Sequence, residues 1–214
     1  LLFSSTVRGV GLEGGCRILA IRVGQTSQET LATTQEAFAG ITEDGAVVCR
    51  GKAAWGGELG NAASKLTGGV VQVIGNNKAF AAIKEDGSVV TWGHPVHGGD
   101  SSKCSAQLSS GVLKVVGSGY IFSGGSFAAI KDDGSVVCWG HDESGGDCRA
   151  VADRLSLGTF DVVGSGGAFA ALINDGSVVC WGCANNGGRA PVDVAYGVVK
   201  LFSNPKAFAA IKDD

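Results

Sequence analysis

The chain has 214 residues, 44% hydrophobic and 17% charged, which excludes a disordered polymer and is long enough for one domain with a sizeable core. A formal net charge of −3 leaves no basic footprint for nucleic acid, and no apolar run approaches the roughly 20 residues that a membrane span needs. Glycine contributes 36 residues against 3 prolines, so the chain turns often without being collagen-like.

Taken in order, residues 1–36 match the rest of the chain poorly. Ile18 to Val23 reads as the last strand of an earlier repeat, followed by a polar link from Gln25 to Thr30. From Phe38 onward one unit recurs. It occupies 38–51, 80–93, 127–140 and 169–182, and its first half returns at 208–214. The copy Ser126-Phe-Ala-Ala-Ile-Lys-Asp-Asp-Gly-Ser-Val-Val-Cys-Trp-Gly140 shows the pattern of two short apolar strands meeting at Asp-Gly. That dipeptide between apolar runs predicts a two-residue type I′ hairpin, with positive φ at both central residues.

The opening phenylalanines Phe38, Phe80, Phe127, Phe169 and Phe208 are spaced by 42, 47, 42 and 39 residues. After each complete hairpin comes a double glycine (Gly56-Gly57, Gly98-Gly99, Gly145-Gly146, Gly187-Gly188), then a polar stretch and a third apolar run. These runs are Val70 to Ile74, Val112 to Val116, Thr159 to Val163 and Val198 to Phe202. Each repeat therefore supplies three strands. A fourth is open around Ala106 to Leu108 or Val151 to Leu155, the latter equally readable as a helical turn. The long 47-residue step comes from an insertion, Tyr120 to Gly124.

The strands are apolar at nearly every position, as strands covered on both faces are. A small sheet with two buried faces must lie between copies of itself, in a β-propeller or in a β-solenoid stack. The mixture of small and large side chains suits the taper of propeller blades, so the fold class expected is all-β, a propeller of three- to four-stranded blades. The last copy stops where the others continue into a second strand, which reads as part of a longer ring.

With those residues in view, the units at 80–93 and 127–140 resemble repeats of the RCC1-like superfamily, the regulator-of-chromosome-condensation propellers. The period and the Gly-Gly-Asp-Ser-Ser at 98–102 are closer to the bacterial branch that includes the β-lactamase-inhibitor propeller. The resemblance extends from about Phe38 to Asp214 and implies the propeller fold, closed in the family by about seven blades. It implies no single activity, since the superfamily includes an exchange factor, inhibitors, a light sensor and ubiquitin-ligase appendages. The light sensor's Gly-Trp-Arg-His-Thr signature is absent, and Arg50 stands where other copies have tryptophan. Guanine-nucleotide exchange or inhibition would follow from this analogy alone.

The residues themselves offer few candidates for chemistry. Asp44, Asp86, Asp133 and Asp175 each precede a turn glycine and read as structural. Cys49, Cys138 and Cys180 share one strand position and read as small buried side chains. Cys104 and Cys148 lie in neighbouring polar stretches and could pair in an oxidising compartment, although seven cysteines leave one over. Cys180-Trp-Gly-Cys183 is a lone C-x-x-C with no second pair. Lys52, His94, His141 and Cys183 share the slot after the strand-ending glycine and would form one rim, able in principle to bind a metal or line an axial site. No carboxylate accompanies them, which favours plain loop residues.

Two features break the repeat. Trp55 stands where other copies have His97, Ser144 and Asn186, and Tyr120, Ile121 and Phe122 form an apolar insertion. Aromatic side chains on loops of a rigid scaffold are what protein-binding sites use. The reading is therefore a non-enzymatic interaction or scaffolding propeller, a subunit of a larger assembly with protein partners. It has no cofactor, no nucleic acid and no membrane span, with peripheral membrane association left open. The competing reading is a propeller with an axial ligand-binding or enzymatic site.

Overall fold

A computed structural model describes residues 31–120, 123–156, 158–189 and 196–213. Within them the chain forms five small antiparallel sheets in sequence. The first holds β1 (Leu31–Thr33), β2 (Ala37–Ile41) and β3 (Val47–Gly51). The next three are β4 (Val70–Gly75), β5 (Ala79–Lys84) and β6 (Val89–Gly93); β7 (Val112–Ser118), β8 (Ser126–Lys131) and β9 (Val136–Gly140); and β10 (Thr159–Gly164), β11 (Ala168–Ile173) and β12 (Val178–Gly182). The fifth pairs β13 (Val198–Ser203) with β14 (Phe208–Lys212).

Each third apolar run thus becomes the first strand of the following sheet and precedes the hairpin it pairs with. The inner strands β1, β4, β7, β10 and β13 touch one another in succession, so the sheets are propeller blades. β1 falls within residues 1–36, whereas Ile18 to Val23 lies outside the described residues. Each complete blade has three strands, not four. Ala106 to Leu108 is a turn and Ala152–Leu155 a single helical turn. Their buried leucines, with Leu66 in the first link, plug the base where a fourth strand would pack.

The blades share their core pairwise, as strand alternation dictates. In β5, Phe80 and Ala82 face the blade before, packing with Ala37, Ala39 and Ile41, whereas Ala79, Ala81 and Ile83 face the blade after. β8 and β11 repeat this division. Alanine on one face and phenylalanine on the other keep the slabs thin where backbones approach and filled where they diverge.

A recurrent clasp locks each slab. Phe80 stacks on Trp92, Phe127 on Trp139 and Phe169 on Trp181, with ring centroids 5.2–5.3 Å apart. Each indole N–H reaches across to the preceding blade's double-glycine loop. Trp92 donates to the Gly56 carbonyl at 3.0 Å, Trp139 to Gly98 at 3.1 Å and Trp181 to Gly145 at 3.0 Å. The acceptor must be glycine. Gly98 has φ +97°, and a Cβ there would lie 2.6 Å from the Phe127 ring.

The hairpin turns correct the expected geometry. No described non-glycine residue has positive φ, so type I′ is excluded; the loops have three residues with only the glycine left-handed. At Glu85-Asp86-Gly87 the Gly87 N–H donates to Lys84 C=O, and the Lys84 N–H donates to Ser88 C=O. Asp86 Oδ1 accepts from both the N–H and the hydroxyl of Ser88, so the aspartate cross-braces the loop and stays outside the left-handed region. The same three-residue loop forms at Glu43-Asp44-Gly45, where alanine follows the glycine.

Gly98→Ala should lower stability by about 2–4 kcal/mol, because it adds a clash to a left-handed backbone. Trp139→Phe should cost about 1–3 kcal/mol by leaving the Gly98 carbonyl unpaired. Urea unfolding of each variant checks both, and an unchanged midpoint for Gly98→Ala would contradict the clasp.

Candidate functional site

The antiparallel order gives the propeller two rims. One carries the Asp-Gly turns and the starts of the inner strands. The other carries the ends of the inner strands, the double-glycine loops and, among the described residues, the site residues singled out from sequence.

At that second rim, segments from all five blades converge on an axial cavity of about 460 Å³. They are Thr33 to Gln35, Gly75 to Asn77, Gly117 to Tyr120, Gly164 to Gly166 and Ser203 to Pro205. Among the described residues the lining offers hydroxyls, amides and glycine backbone, with no carboxylate, imidazole, amine or thiol. Such a lining can hydrogen-bond a polar ligand. Side chains from these turns also cinch the loops. Thr34 donates to the Trp55 carbonyl, Asn76 to His97, Ser118 to Ser144 and Ser165 to Asn186, at 2.7–3.1 Å.

Lys52, His94, His141 and Cys183 occupy equivalent positions, but none lines the cavity. Their slot is defined by backbone. Each N–H bonds the residue before its blade's middle strand, and each C=O accepts from the second loop glycine, so any side chain fits. Lys52 pairs with Glu36 at 3.1 Å on the exposed surface, an arrangement of little energetic weight. Cys183 is half-buried with a free thiol. His94 and His141 are joined only through a third histidine that sequence reasoning had placed in the Trp55 slot. The His97 ring lies 4.5 Å from His94 edge-on and 5.9 Å from His141 nearly parallel.

In this cluster the His94 Nδ1 is buried without a hydrogen-bond partner, and the His97 Nδ1 accepts the Gly125 N–H at 2.7 Å. With that acceptor occupied, a neutral His97 carries its proton on Nε2, which removes it as a metal ligand at either nitrogen. Among the described residues no three histidine, cysteine or carboxylate side chains converge to hold a metal ion. Burial, Lys78 and the two other imidazoles push His97 down to about 4, and burial with Lys78 also lowers His94.

Trp55 is half-buried against the first slab, with Lys52 and Lys78 ammonium groups each 5.2 Å from its ring centre. Tyr120 is exposed at the cavity edge, whereas Ile121 and Phe122 lie outside the described residues. The described flanks of the insertion are stitched to both neighbouring blades. Asn77 donates to the carbonyls of Tyr120 and Ser123, and the Ser123 hydroxyl donates to the Gly166 carbonyl.

The repeated aspartates hold turns, as expected. Hydrogen bonds from the serine two residues on keep Asp86, Asp133 and Asp175 below the usual carboxylate range. Burial pushes the Cys180 and Cys104 thiols up to about 11.

His97 fixes a pH dependence. Its folded value lies below the ordinary 6.5, so the unfolded chain binds the proton more readily. Its contribution is fully present above about 6.5 and is lost as pH falls towards about 4. His97→Gln should flatten the stability slope over that window in urea titrations; an unaltered slope would contradict the assignment.

No protein-family model matches the chain, and no curated protein matches it. Solved structures do. Yeast RCC1 (Prp20), solved with Kap60 bound, is similar at 10% identity and TM-score 0.59, over 91% of this chain and 56% of that one. Human WBSCR16 is similar at 16% identity and TM-score 0.51, over 90% and 60%. The CRINKLY WD40 ectodomain of the Arabidopsis thaliana receptor kinase ACR4 is similar at 16% and 0.51, over 91% and 65%. The chain therefore spans between about half and two thirds of these proteins' length. Identities this low speak for architecture alone, and together with the blade geometry they show that this chain has the RCC1-like β-propeller fold.

Proposed function

We propose that the chain is a non-enzymatic protein-interaction and scaffolding propeller that works within a larger assembly. The observation that carries this reading lies on the rim of the Asp-Gly turns. Every inner strand from β4 to β13 has a bulge at its second residue, where the ladder skips Val71, Leu113, Phe160 and Val199. A bulge frees its extra residue from pairing and re-aims it. Val71 is half-buried, but Leu113 is 67% exposed, Phe160 70% and Val199 50%.

The inner strands are neighbours, so these side chains form an apolar file at one end of the axis. Beside it runs a charged file, in which Lys114 bonds Asp161 on the next blade. Apolar groups clustered at repeat-equivalent exposed positions, rimmed by charge, have the character of a protein-binding patch. The yeast RCC1 solved with Kap60 is a protein of this fold holding a protein partner, which supports the reading by analogy.

Trp55, Tyr120, Ile121 and Phe122 serve in this proposal as a second contact on the opposite rim. The axial cavity favours one further reading, capture of a small polar ligand by its hydroxyl and amide lining. Nucleotide exchange and inhibition rest on resemblance alone.

Leu113→Ser with Phe160→Ser should reduce capture of the partner from a source extract at least tenfold while leaving circular dichroism and the urea midpoint unchanged. Quantitative mass spectrometry of the captured proteins measures it, with Tyr120→Ser reporting on the other rim. Full capture by both variants would refute a protein interface on either rim.

A further inference from the structure

We propose that Cys138 and Cys148 are a latent disulfide site, closed when the folded protein meets a small disulfide such as oxidised glutathione. Cys138 lies in β9, and Cys148 lies in the loop after it, three residues past the first glycine of the pair. The same two places in the preceding blade hold Thr91 and Ser101, and there the Thr91 hydroxyl donates to the Ser101 hydroxyl at 3.0 Å. That contact shows that the repeat brings these two side chains together. A disulfide needs its β-carbons roughly 3.5–4.5 Å apart, a reach that hydroxyls in direct contact make accessible to the longer C–S bonds of a thiol pair. Replacing both hydroxyls by thiols puts two sulfurs face to face.

The structure bears this out. Cys138 and Cys148 pack on the same inter-blade slab. The other copies lack the pair, since Cys49 is matched by Leu59 and Cys180 by Ala190 at the loop position.

The two thiols are unequal in the way an exchange reaction needs. Burial pushes the Cys138 thiol up. Cys148 is half-buried, and the neighbouring Cys138 thiol holds its own below the ordinary value. Cys148 is therefore the attacking sulfur and Cys138 the resolving one. The Cys148 thiolate attacks one sulfur of the small disulfide and expels a thiolate, which takes up the proton that Cys148 released. Cys138 then loses its proton and attacks the Cys148 sulfur of the mixed disulfide, expelling the second small thiol. Two protein thiols become one disulfide, and the small disulfide is reduced by two electrons to two thiols.

The test treats the full chain with oxidised glutathione, alkylates the remaining thiols and maps the peptides by mass spectrometry. The expected result is a loss of two alkylatable thiols and a peptide linking 138 to 148, both reversed by dithiothreitol. Cys138→Thr should stop at a glutathione adduct on Cys148, and Cys148→Ser should leave Cys138 fully alkylatable. Both variants borrow the residues of the preceding blade, so folding is retained, which circular dichroism checks. The proposal is overturned if both cysteines stay alkylatable in the wild type, if Cys148 links to Cys104 instead, or if Cys138→Thr carries no adduct.

Discussion

One contact organises the molecule: a stacked phenylalanine and tryptophan in one blade pressed against a glycine in the loop of the blade before. The stack supplies apolar area to the slab, and aromatic pairing of this kind adds about 0.5–1.5 kcal/mol beyond burial. The indole N–H then satisfies a carbonyl that would otherwise be buried unpaired, where the loss is about 1–3 kcal/mol. Glycine admits the ring, its left-handed φ turns the loop, and its carbonyl accepts the bond. The three roles reinforce one another, and the arrangement recurs at Trp92, Trp139 and Trp181. In the first blade Arg50 sits opposite Phe38, where the other complete blades have tryptophan.

Because the clasp and the slabs use the faces of the strands, what remains free is their ends, and the two ends differ. At one, inner-strand bulges present apolar side chains beside alternating charges. At the other, backbone-defined loops tolerate lysine, histidine and cysteine in one slot, around a cavity of hydroxyls and amides. The scaffold thus varies its rims without disturbing its slabs, as in other folds that carry recognition on loops above a rigid frame. The thiol pair at 138 and 148 is an instance inside the blade, where an exchange of hydroxyl for thiol changes the chemistry and keeps the contact.

Much of this architecture was legible in the sequence. The spacing of Phe-Ala-Ala, Asp-Gly and Trp-Gly, with runs apolar on both faces, carried the blade and its sandwiching between copies. The turn geometry is not legible from Asp-Gly alone, because that dipeptide also closes a three-residue loop in which only the glycine is left-handed. A fourth strand stays open in the sequence because Leu108 and Leu155 are apolar and buried as strand residues are, although one lies in a turn and the other in a helical turn. The bulges at Val71, Leu113, Phe160 and Val199 could not be read locally. An unpaired residue within an apolar run has no signature until the register of its partner strand is known. His97 gathers His94 and His141 only because its loop folds back beneath the next blade, a proximity with no trace in spacing along the chain. The nearness of Cys138 and Cys148 has no trace in the repeat pattern either, because it joins a strand position to a loop position within one copy.

The clasp is tested most directly by hydrogen exchange at the indole nitrogens of the four tryptophans, followed by NMR under native conditions. The account predicts that Trp92, Trp139 and Trp181 exchange slowly, with protection set by unfolding of the blades they join, while the half-buried Trp55 exchanges rapidly. Equal exchange at all four indoles would show that the blades are not held together in this way.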